Sequence, residues 1–247
     1  MIVSACIPAR LASTRLPRKV LADINGQPLL WYVWNQVSKV NGLNQVYIAT
    51  DSDEVRTLAE GWGGKILMTS STCRSGTERI ASTLDCIDGD LIFNVQGDEP
   101  LIDPQLLELM VEVWKQKGGD IITPVYKITE VMDLFNPNVV KVVRGLDGQV
   151  MYFSRSPVPF VRDLEHERWL ERGPFWAHVG VYGYTREALA DYLMLPVSPL
   201  ESIEKLEQLR FLDAGYIIQS VETDYHPISV DTRADLERVR QILSERK

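Results

Sequence analysis

Short, nearly continuous apolar segments alternate with longer amphipathic ones through the first half of the chain. The apolar segments predict strands at residues 2–8, 45–50, 65–69, 90–96 and 120–126. Between them, helical periodicity and capping residues predict helices at 28–40, 52–62, 77–87 and 104–116. Strands that are apolar on both faces and separated by helices are typical of a mostly parallel sheet covered by helices on both sides. We therefore predict an α/β fold.

The pattern changes after about residue 130. Two apolar segments, 139–145 and 149–155, flank "LDG", a sequence typical of a hairpin turn. The segment "AHVGVYGYT" at 177–185 alternates in part and predicts a further strand. Together these segments predict an antiparallel extension of the sheet. Further elements are predicted as helices at 186–192 and 203–214, a strand at 216–221 and a final helix at 233–244.

Charge and composition narrow the function classes. The net charge of -8 argues against coating nucleic acid or binding anionic lipid, because both need a broad basic surface. We find neither a signal-peptide pattern nor a run of the roughly 18 apolar residues that cross a bilayer. Three cysteines without CxxC spacing are typical of reduced thiols, so we expect a cytoplasmic protein. There is no closely spaced His/Cys cluster for zinc and no GxSxG nucleophile elbow.

The first candidate site is "IPARLASTRLPRK" (7–19), a basic loop after the first predicted strand. In parallel sheets, ligands bind beyond the carboxyl ends of the strands. Arg10, Arg15 and Lys19 could surround a polyphosphate there, since guanidinium groups bind oxygens in pairs and lysine adds a point charge. The alternative is a solvated basic loop. The pattern is neither GxxxxGK[ST] nor GxGxxG, so neither a P-loop nor an NAD site is indicated.

Two aspartates follow apolar segments in the same way. Asp98 lies in "NVQGDEP" (94–100), where Gly97 permits close approach of another backbone. Asp231 lies in "ISVDTRADLERV" (228–239), which has a short apolar strand, an aspartate and then a helix. Two carboxylates on facing loops can hold Mg²⁺ against a phosphate. The alternatives are a turn aspartate at 98 and a helix N-cap at 231.

Two further motifs carry a weaker signal. "CRSGTERIA" (73–81) places Ser75, Gly76 and Thr77 before a helix, where backbone N–H groups could bind an anion or the edge of a base. A plain capping box is the alternative. "DSD" at 51–53 matches the DxD metal motif of many glycosyltransferases, although an acid-rich helix N-cap is the favoured interpretation.

The chain resembles the 3-deoxy-manno-octulosonate cytidylyltransferase family in motifs spread from Ile7 to Val239. They are, in order, "IPARLASTRLPRK", "SGTER", "NVQGDEP", "YFSRSPVP", "HVGVYGY", "IEKLEQLR" and "VDT..DLERV". The resemblance implies a three-layer, Rossmann-like nucleotidyltransferase domain that uses CTP, 3-deoxy-manno-octulosonate (Kdo) and Mg²⁺ and releases pyrophosphate. It further implies a cytoplasmic homodimer that serves bacterial lipopolysaccharide or capsule synthesis.

The resemblance also assigns roles within one domain of 247 residues. It implies nucleotide binding by about 1–130, sugar binding and dimerisation by about 131–225, and a return to the core at 226–247. The implied nucleotide-binding residues are Arg10, Ser13, Arg15, Lys19, Arg74, Ser75, Gly76 and Gln96. The implied magnesium ligands are Asp98 and Asp231, which with Arg15 and Lys19 form the catalytic set. The segments implied to line the sugar pocket contain Arg155, His178, Tyr182, Glu207, Gln208 and also Gln96; taken alone, His178 would be a structural histidine.

The chain departs from the family pattern at three positions. Arg18 and Val20 stand where the family usually has glycine and proline, so we expect a changed loop path or an additional phosphate contact. Arg74 replaces a residue that is more commonly uncharged or acidic.

Other functions remain open from the sequence. The close alternative is a cytidylyltransferase for amino-substituted Kdo or for a sialic acid. A glycosyltransferase that uses "DSD" at 51–53 is a different class, and pyrophosphate release from CTP and a free sugar acid would separate the two. A non-catalytic nucleotide-binding regulator would bind CTP without turnover.

Overall fold

The chain in the computed structural model divides into two units, and the structure describes residues 1–13 and 15–245. Unit 1 consists of Met1–Glu108, Val181–Leu193 and Pro227–Lys247, and unit 2 of Leu109–Gly180 and Met194–His226. The three parts implied by the resemblance stay a prediction, and their bounds differ from those of the two units. The differences are that residues 109–130 belong to unit 2 and that residues 181–193 belong to unit 1.

The regular elements follow the predicted alternation of strand and helix. The strands are β1 (Val3–Ala9), β2 (Asp23–Ile24), β3 (Gln27–Pro28), β4 (Gln45–Thr50), β5 (Lys65–Met68), β6 (Leu91–Asn94), β7 (Ile121–Lys127), β8 (Lys141–Arg144), β9 (Val150–Ser154), β10 (Trp176–His178), β11 (Tyr182–Thr185) and β12 (Ile218–Glu222). The α-helices are α1 (Leu29–Val37), α2 (Asp53–Glu60), α3 (Gly76–Ala81), α4 (Pro104–Lys117), α5 (Val131–Phe135), α6 (Arg186–Tyr192), α7 (Pro199–Glu204), α8 (Gln208–Asp213) and α9 (Arg233–Glu245). Short 3-10 helices lie at Lys19–Leu21, Leu84–Cys86 and His166–Glu171.

In unit 1 the strands lie in the order β5-β4-β1-β6-β11. The first four pair in parallel, and β11 pairs antiparallel with β6. β1 has a strand on each side, and α1 and α3 pack against it, so it is buried along most of its length and its sequence is nearly continuously apolar. The carboxyl ends of four parallel strands therefore share one edge of the sheet. The predicted parallel part of the fold is confirmed.

In unit 2, β12 and β7 are parallel, while β7, β10, β8 and β9 pair antiparallel in that order. β8 and β9 form the predicted hairpin across "LDG", so the antiparallel extension is confirmed. The fully buried Lys141 lies on β8. Its Nζ donates to the carbonyl oxygens of Asn136 at 2.8 Å and Val139 at 2.6 Å, which satisfies the charged group inside the unit.

Two short elements of unit 2 were not predicted from the sequence. They are α5 and the 3-10 helix His166–Glu171, which bring Leu134 and Trp169 into a buried cluster with Ile128, Phe175 and Ala177. Each is too short to repeat a helical pattern of apolar positions, so hydrophobic periodicity could not reveal it.

Four sequence predictions of single elements were wrong in their bounds, in their division or in the kind of structure. The strand predicted at 177–185 is two strands, β10 in unit 2 and β11 in unit 1, separated around Gly180. The helix predicted at 203–214 is divided, because Lys205 adopts a left-handed backbone (φ 55°) that ends α7. The helix predicted at 77–87 ends at Ala81. Residues 228–230, predicted as a strand before Asp231, have no regular structure.

The long helices do not resemble membrane spans. Within residues 1–13 and 15–245, no helix has both the length and the apolar character needed to cross a bilayer.

Candidate active site

The basic loop begins at the carboxyl end of β1 in unit 1. Arg10 follows the strand directly and is exposed, and Ser13 is partly buried. Thr14, within the predicted motif, lies outside the described residues. Arg15 is mostly exposed, whereas Lys19 begins a 3-10 helix and has a side chain that is only 13% exposed. The loop therefore carries its most enclosed positive charge at its far end.

The structure brings both predicted aspartates to that lysine. Lys19 Nζ lies 2.6 Å from Asp98 Oδ2 and 2.9 Å from Asp231 Oδ1, although these residues are 79 and 212 positions away along the chain. Arg15 Nη2 adds a contact to Asp231 Oδ1 at 3.0 Å. The backbone N–H of Val230 donates to the carbonyl oxygen of Asp98 at 2.9 Å, which fixes the two segments side by side. Two carboxylates and two cations thus meet at one point.

Glycines explain why the loops converge on the end of β1. A Cβ on Gly97 would lie 2.8 Å from the carbonyl oxygen of Pro8, closer than real side chains come to a backbone oxygen. A Cβ on Gly76 would lie 3.0 Å from Pro8 Cγ. The segments that carry Asp98 and Ser75 therefore pack directly against the residue that precedes the basic loop. This close approach is the one that glycine permits.

The alternative interpretation, in which the Asp231 side chain caps the last helix, is wrong, because other residues form that cap. Thr232 and Asp235 form the capping box: the Asp235 N–H donates to Thr232 Oγ1 at 3.3 Å, and the Thr232 N–H donates to Asp235 Oδ2 at 2.8 Å. Partial burial raises the pKa of Asp235, but its hydrogen bonds from Thr232 and Asp231 outweigh this and lower it. The Asp231 carboxylate faces Lys19 and Arg15 instead.

The charges at this point are set by burial and by the neighbouring groups. Burial lowers the pKa of Lys19, but Asp98 and Asp231 outweigh it, so the net shift is upward and the ammonium is charged. Burial, with a smaller effect of the Asp98 carboxylate, raises the pKa of the next residue, Glu99, to about 8. Glu99 Oε2 is buried without a hydrogen-bond partner. Sequence reasoning missed Glu99, whose only signal was its place beside Asp98.

The segment predicted near the base forms a helix cap. Ser75 is the N-cap of α3 and accepts a hydrogen bond from the Glu78 N–H at 3.1 Å, while the Glu78 carboxylate accepts from the Arg74 N–H at 3.0 Å. Arg74 is exposed, and its Nε lies 3.1 Å from Glu78 Oε2. Gln96 Nε2 donates to Asn94 Oδ1 at 3.3 Å, at the end of β6.

The "DSD" segment at 51–53 is a helix cap as well. Ser52 caps α2 by accepting from the Val55 N–H, and Asp53 pairs with Arg56 at 2.9 Å within the helix. Asp51 lies 3.5 Å from the buried Arg79. Ser52 and Asp53 thus serve the start of α2, as the N-cap interpretation predicted, and Asp51 pairs with an arginine of α3.

Most of the predicted sugar-pocket residues lie in unit 2, and Tyr182 lies in unit 1. Arg155 follows β9, and its guanidinium donates to the carbonyl oxygens of Glu204 (2.7 Å), Pro137 (2.9 Å) and Lys205 (3.4 Å). Glu204 was not predicted; its carboxylate accepts from Ser154 Oγ and from the Arg155 N–H, so it holds the start of this segment.

The other predicted sugar-pocket residues are largely enclosed. His178 Nε2 lies 2.9 Å from Thr123 Oγ1, and burial lowers the pKa of its imidazole to about 3. Tyr182 is 9% exposed and stacks on Tyr184 with ring centroids 5.5 Å apart. Glu207 is partly buried before α8, and the buried Gln208 is the first residue of that helix. His178 is therefore a neutral hydrogen-bonding group near neutral pH.

The donor set at Asp98 and Asp231 can be tested against magnesium. Among the described residues no group of three or more His, Cys, Asp or Glu side chains is arranged to hold a metal. Mg²⁺ usually keeps several waters and takes one or two protein carboxylates together with substrate phosphates. Two carboxylates that reach one point beside a basic loop fit that chemistry.

A parallel sheet with a basic loop and two convergent carboxylates at the carboxyl end of its strands defines an α/β protein with a ligand site at that edge. The cytidylyltransferase family model matches residues 4–222, and the chain belongs to that family. The chain is 43% identical to the 3-deoxy-manno-octulosonate cytidylyltransferase of Chlorobium limicola over 96% of its own length and 95% of that protein. It is also 39% identical to an 8-amino-3,8-dideoxy-manno-octulosonate cytidylyltransferase of Shewanella baltica, over 99% of each chain.

A solved structure supports the same family assignment. CMP:2-keto-3-deoxy-manno-octonic acid synthetase complexed with CTP superimposes with a TM-score of 0.93 and 35% identity over the whole of both chains. These comparisons confirm the family that the sequence motifs indicated and the predicted fold. They also confirm that the protein is a nucleotidyltransferase.

Proposed function

We propose that the protein transfers the cytidylyl group of CTP to the C2 hydroxyl of Kdo. A bond forms between that oxygen and the α-phosphorus of CTP, and the bond from the α-phosphorus to the bridging oxygen of the β-phosphate breaks. Pyrophosphate leaves, the hydroxyl proton is released to solvent, and CMP-Kdo is the product. The observation that carries this proposal is the full-length similarity to CMP:2-keto-3-deoxy-manno-octonic acid synthetase complexed with CTP. The enclosed cluster of Lys19, Asp98 and Asp231 supports it independently.

The basic loop supplies the positive charge that such a reaction needs. Negative charge accumulates on the β- and γ-phosphates as pyrophosphate departs, and fixed cations stabilise that state. Arg10 and Arg15 are exposed at the carboxyl edge of the sheet, so their guanidinium groups can reach a triphosphate there. We assign Ser13 and the segment of Arg74, Ser75 and Gly76 to the phosphates and the base, with Gln96 beside them.

We assign Asp98 and Asp231 as the protein ligands of Mg²⁺. A bound magnesium ion would neutralise phosphate charge and orient the attacking hydroxyl. The aspartates are held for this role by the backbone bond between Val230 and Asp98 and by the packing of Gly97 on Pro8.

For the sugar acid we assign Arg155, His178, Tyr182, Glu207 and Gln208. The hydrogen bonds of Arg155 to three carbonyl oxygens hold its guanidinium in one place, which favours selective binding of an anionic group. The lowered pKa of His178 keeps it neutral, so it would contribute a hydrogen bond rather than a charge. We further propose that the enzyme works in the cytoplasm as a homodimer, in the synthesis of lipopolysaccharide or capsule.

A second candidate substrate is 8-amino-3,8-dideoxy-manno-octulosonate, because relatives of that name match this chain nearly as well. The two acids differ in the group at C8. A hydroxyl and an ammonium make different demands on a pocket, since only the second needs a compensating negative charge.

The test is a matrix of initial rates of pyrophosphate release, with CTP, UTP, ATP and GTP against Kdo, its 8-amino analogue and a sialic acid. We expect CTP with Kdo to give the highest kcat/KM and CMP-Kdo to be found by mass spectrometry. The Asp98→Asn variant serves as the inactive control. Equal turnover of UTP or ATP, or CTP binding without pyrophosphate release from any acid, would overturn the proposal. A preference for the 8-amino acid would select the second candidate.

A further inference from the structure

Lys19 contacts both carboxylates of the candidate metal site at hydrogen-bond distance. Its ammonium lies 2.6 Å from Asp98 and 2.9 Å from Asp231, and its side chain is mostly enclosed. Arg15 also contacts Asp231, but its side chain is 68% exposed, so solvent screens that pair strongly. The enclosed Lys19 is thus the cation that joins the two aspartates.

This arrangement solves an electrostatic problem of the site. Two carboxylates brought side by side repel each other, and partial burial removes water that would otherwise stabilise their charges. A cation between them restores the balance and fixes their separation. The Asp98 and Asp231 carboxylates that contact Lys19 are the groups assigned above to Mg²⁺, so a metal ion and the ammonium would compete for them.

We propose that Lys19 is a resident counter-ion that positions Asp98 and Asp231 for the metal and gives way to it. The inference rests on the proposed function, because it concerns the metal site assigned there. Once displaced from the carboxylates, the Lys19 ammonium can contact the phosphates of CTP. The same side chain then serves the site before and after the metal binds. Metal binding by the protein alone is consequently weak, and it strengthens when the lysine charge is removed.

The test measures metal affinity without CTP or Kdo, by calorimetry with Mg²⁺ and by electron paramagnetic resonance with Mn²⁺. The variants are Lys19→Met, which keeps much of the side-chain length without the charge, and Lys19→Arg, which keeps the charge. Lys65→Met, at an exposed lysine of β5, is the matched control. Thermal unfolding of each variant, with and without Mg²⁺, reports on the fold.

We expect Lys19→Met to bind Mn²⁺ at least about tenfold more tightly than the wild type, which corresponds to about 1.4 kcal/mol. Its melting temperature should be lower in metal-free buffer and should rise more on addition of Mg²⁺. Lys19→Arg and Lys65→Met should bind metal like the wild type. If Lys19→Met fails to fold in any buffer, tighter binding by Lys19→Arg would overturn the proposal and unchanged binding would support it.

Equal or weaker metal binding by a folded Lys19→Met would show that the ammonium does not compete, and the proposal would fall. It would also fall if neither the wild type nor Lys19→Met bound metal without substrate. The substrate matrix described above is independent of these measurements. A failure of the CTP and Kdo assignment would appear there, in the wild type, and not in the metal titrations.

Discussion

At the residue scale, Arg18 stands in a backbone conformation that few side chains adopt. Its φ of 58° and ψ of 31° lie in the left-handed region, where glycine has no Cβ penalty. The guanidinium forms an ion pair with Glu54 on α2, and both side chains are largely exposed. The loop therefore makes a left-handed turn at an arginine whose side chain is anchored to a neighbouring helix.

Two substitutions at this position separate the backbone from the ion pair. Arg18→Ala removes the pair and keeps the left-handed strain, whereas Arg18→Gly removes both. We expect Arg18→Gly to be more stable than Arg18→Ala by about 1 kcal/mol or more in chemical denaturation. Glu54→Gln, which removes the pair alone, should cost about 1 kcal/mol or less because the pair is exposed. Equal stability of the alanine and glycine variants would show that the backbone at Arg18 is not strained.

At the scale of elements, the turn after β6 is shaped by its contact with the end of β1. Gly97→Ala would place a methyl group against the Pro8 carbonyl oxygen, so the backbone must shift. We expect a loss of about 1–3 kcal/mol in the free energy of unfolding, because backbone cannot yield as a flexible side chain can. Activity should fall as well, since Asp98 is the next residue.

A matched control is Gly173→Ala in unit 2. A Cβ there meets nothing within 4 Å, so its effect should stay within about 0.5 kcal/mol. If Gly97→Ala were as stable and as active as this control, the close approach of this turn to the end of β1 would not matter to the site.

The elements also show what the sequence could and could not predict. The buried strands of the parallel sheet were predicted nearly to the residue, because strands buried on both faces are apolar throughout. The division at Lys205 could not be predicted, since lysine rarely takes a left-handed backbone and leaves no local signal. Val230 is apolar because it is buried, and its N–H bonds to the Asp98 turn although residues 228–230 form no strand.

The sequence predicted which residues form the candidate site, but not which of them contact each other. Parallel topology alone placed Asp98 and the basic loop at one edge of a sheet. It did not indicate that Lys19 would join Asp98 to Asp231, because that contact depends on how the last segment returns beside the turn at Asp98. Nor did it reveal Glu99, whose burial follows from packing of the turn.

At the scale of the whole molecule, His178 makes stability depend on pH. Burial lowers the pKa of His178 from 6.5 to about 3, so between these values the unfolded chain binds a proton that the folded chain does not. The contribution of His178 is therefore fully present above about pH 6.5 and is lost as the pH falls towards 3, by up to about 1.4 kcal/mol per pH unit.

The comparison that isolates this effect is the free energy of unfolding of the wild type minus that of His178→Gln, measured from pH 7.5 to pH 4.5. We expect the difference to fall as the pH is lowered below about 6.5. His166→Gln, at an exposed position, controls for the loss of an imidazole as such. A difference that is constant with pH, or that grows in acid, would contradict the account of His178.

The central claim is that residues from opposite ends of the chain form one cation site that serves the reaction. The most direct measurement is the rate of pyrophosphate release from CTP and Kdo, as a function of Mg²⁺ concentration, for Asp98→Asn, Asp231→Asn and the double variant. Since both carboxylates act through one point, each single change should lower the rate by about a hundredfold or more. The double variant should be little worse than either, because groups that act as a unit are not additive.

Thermal unfolding of the same proteins separates this result from damage to the fold. Independent structural aspartates would each lower stability, their losses would add, and the rate below the melting range would stay near that of the wild type. The account predicts folded variants with a shared loss of turnover and a shifted dependence on Mg²⁺. Near-wild-type turnover in Asp231→Asn would contradict it.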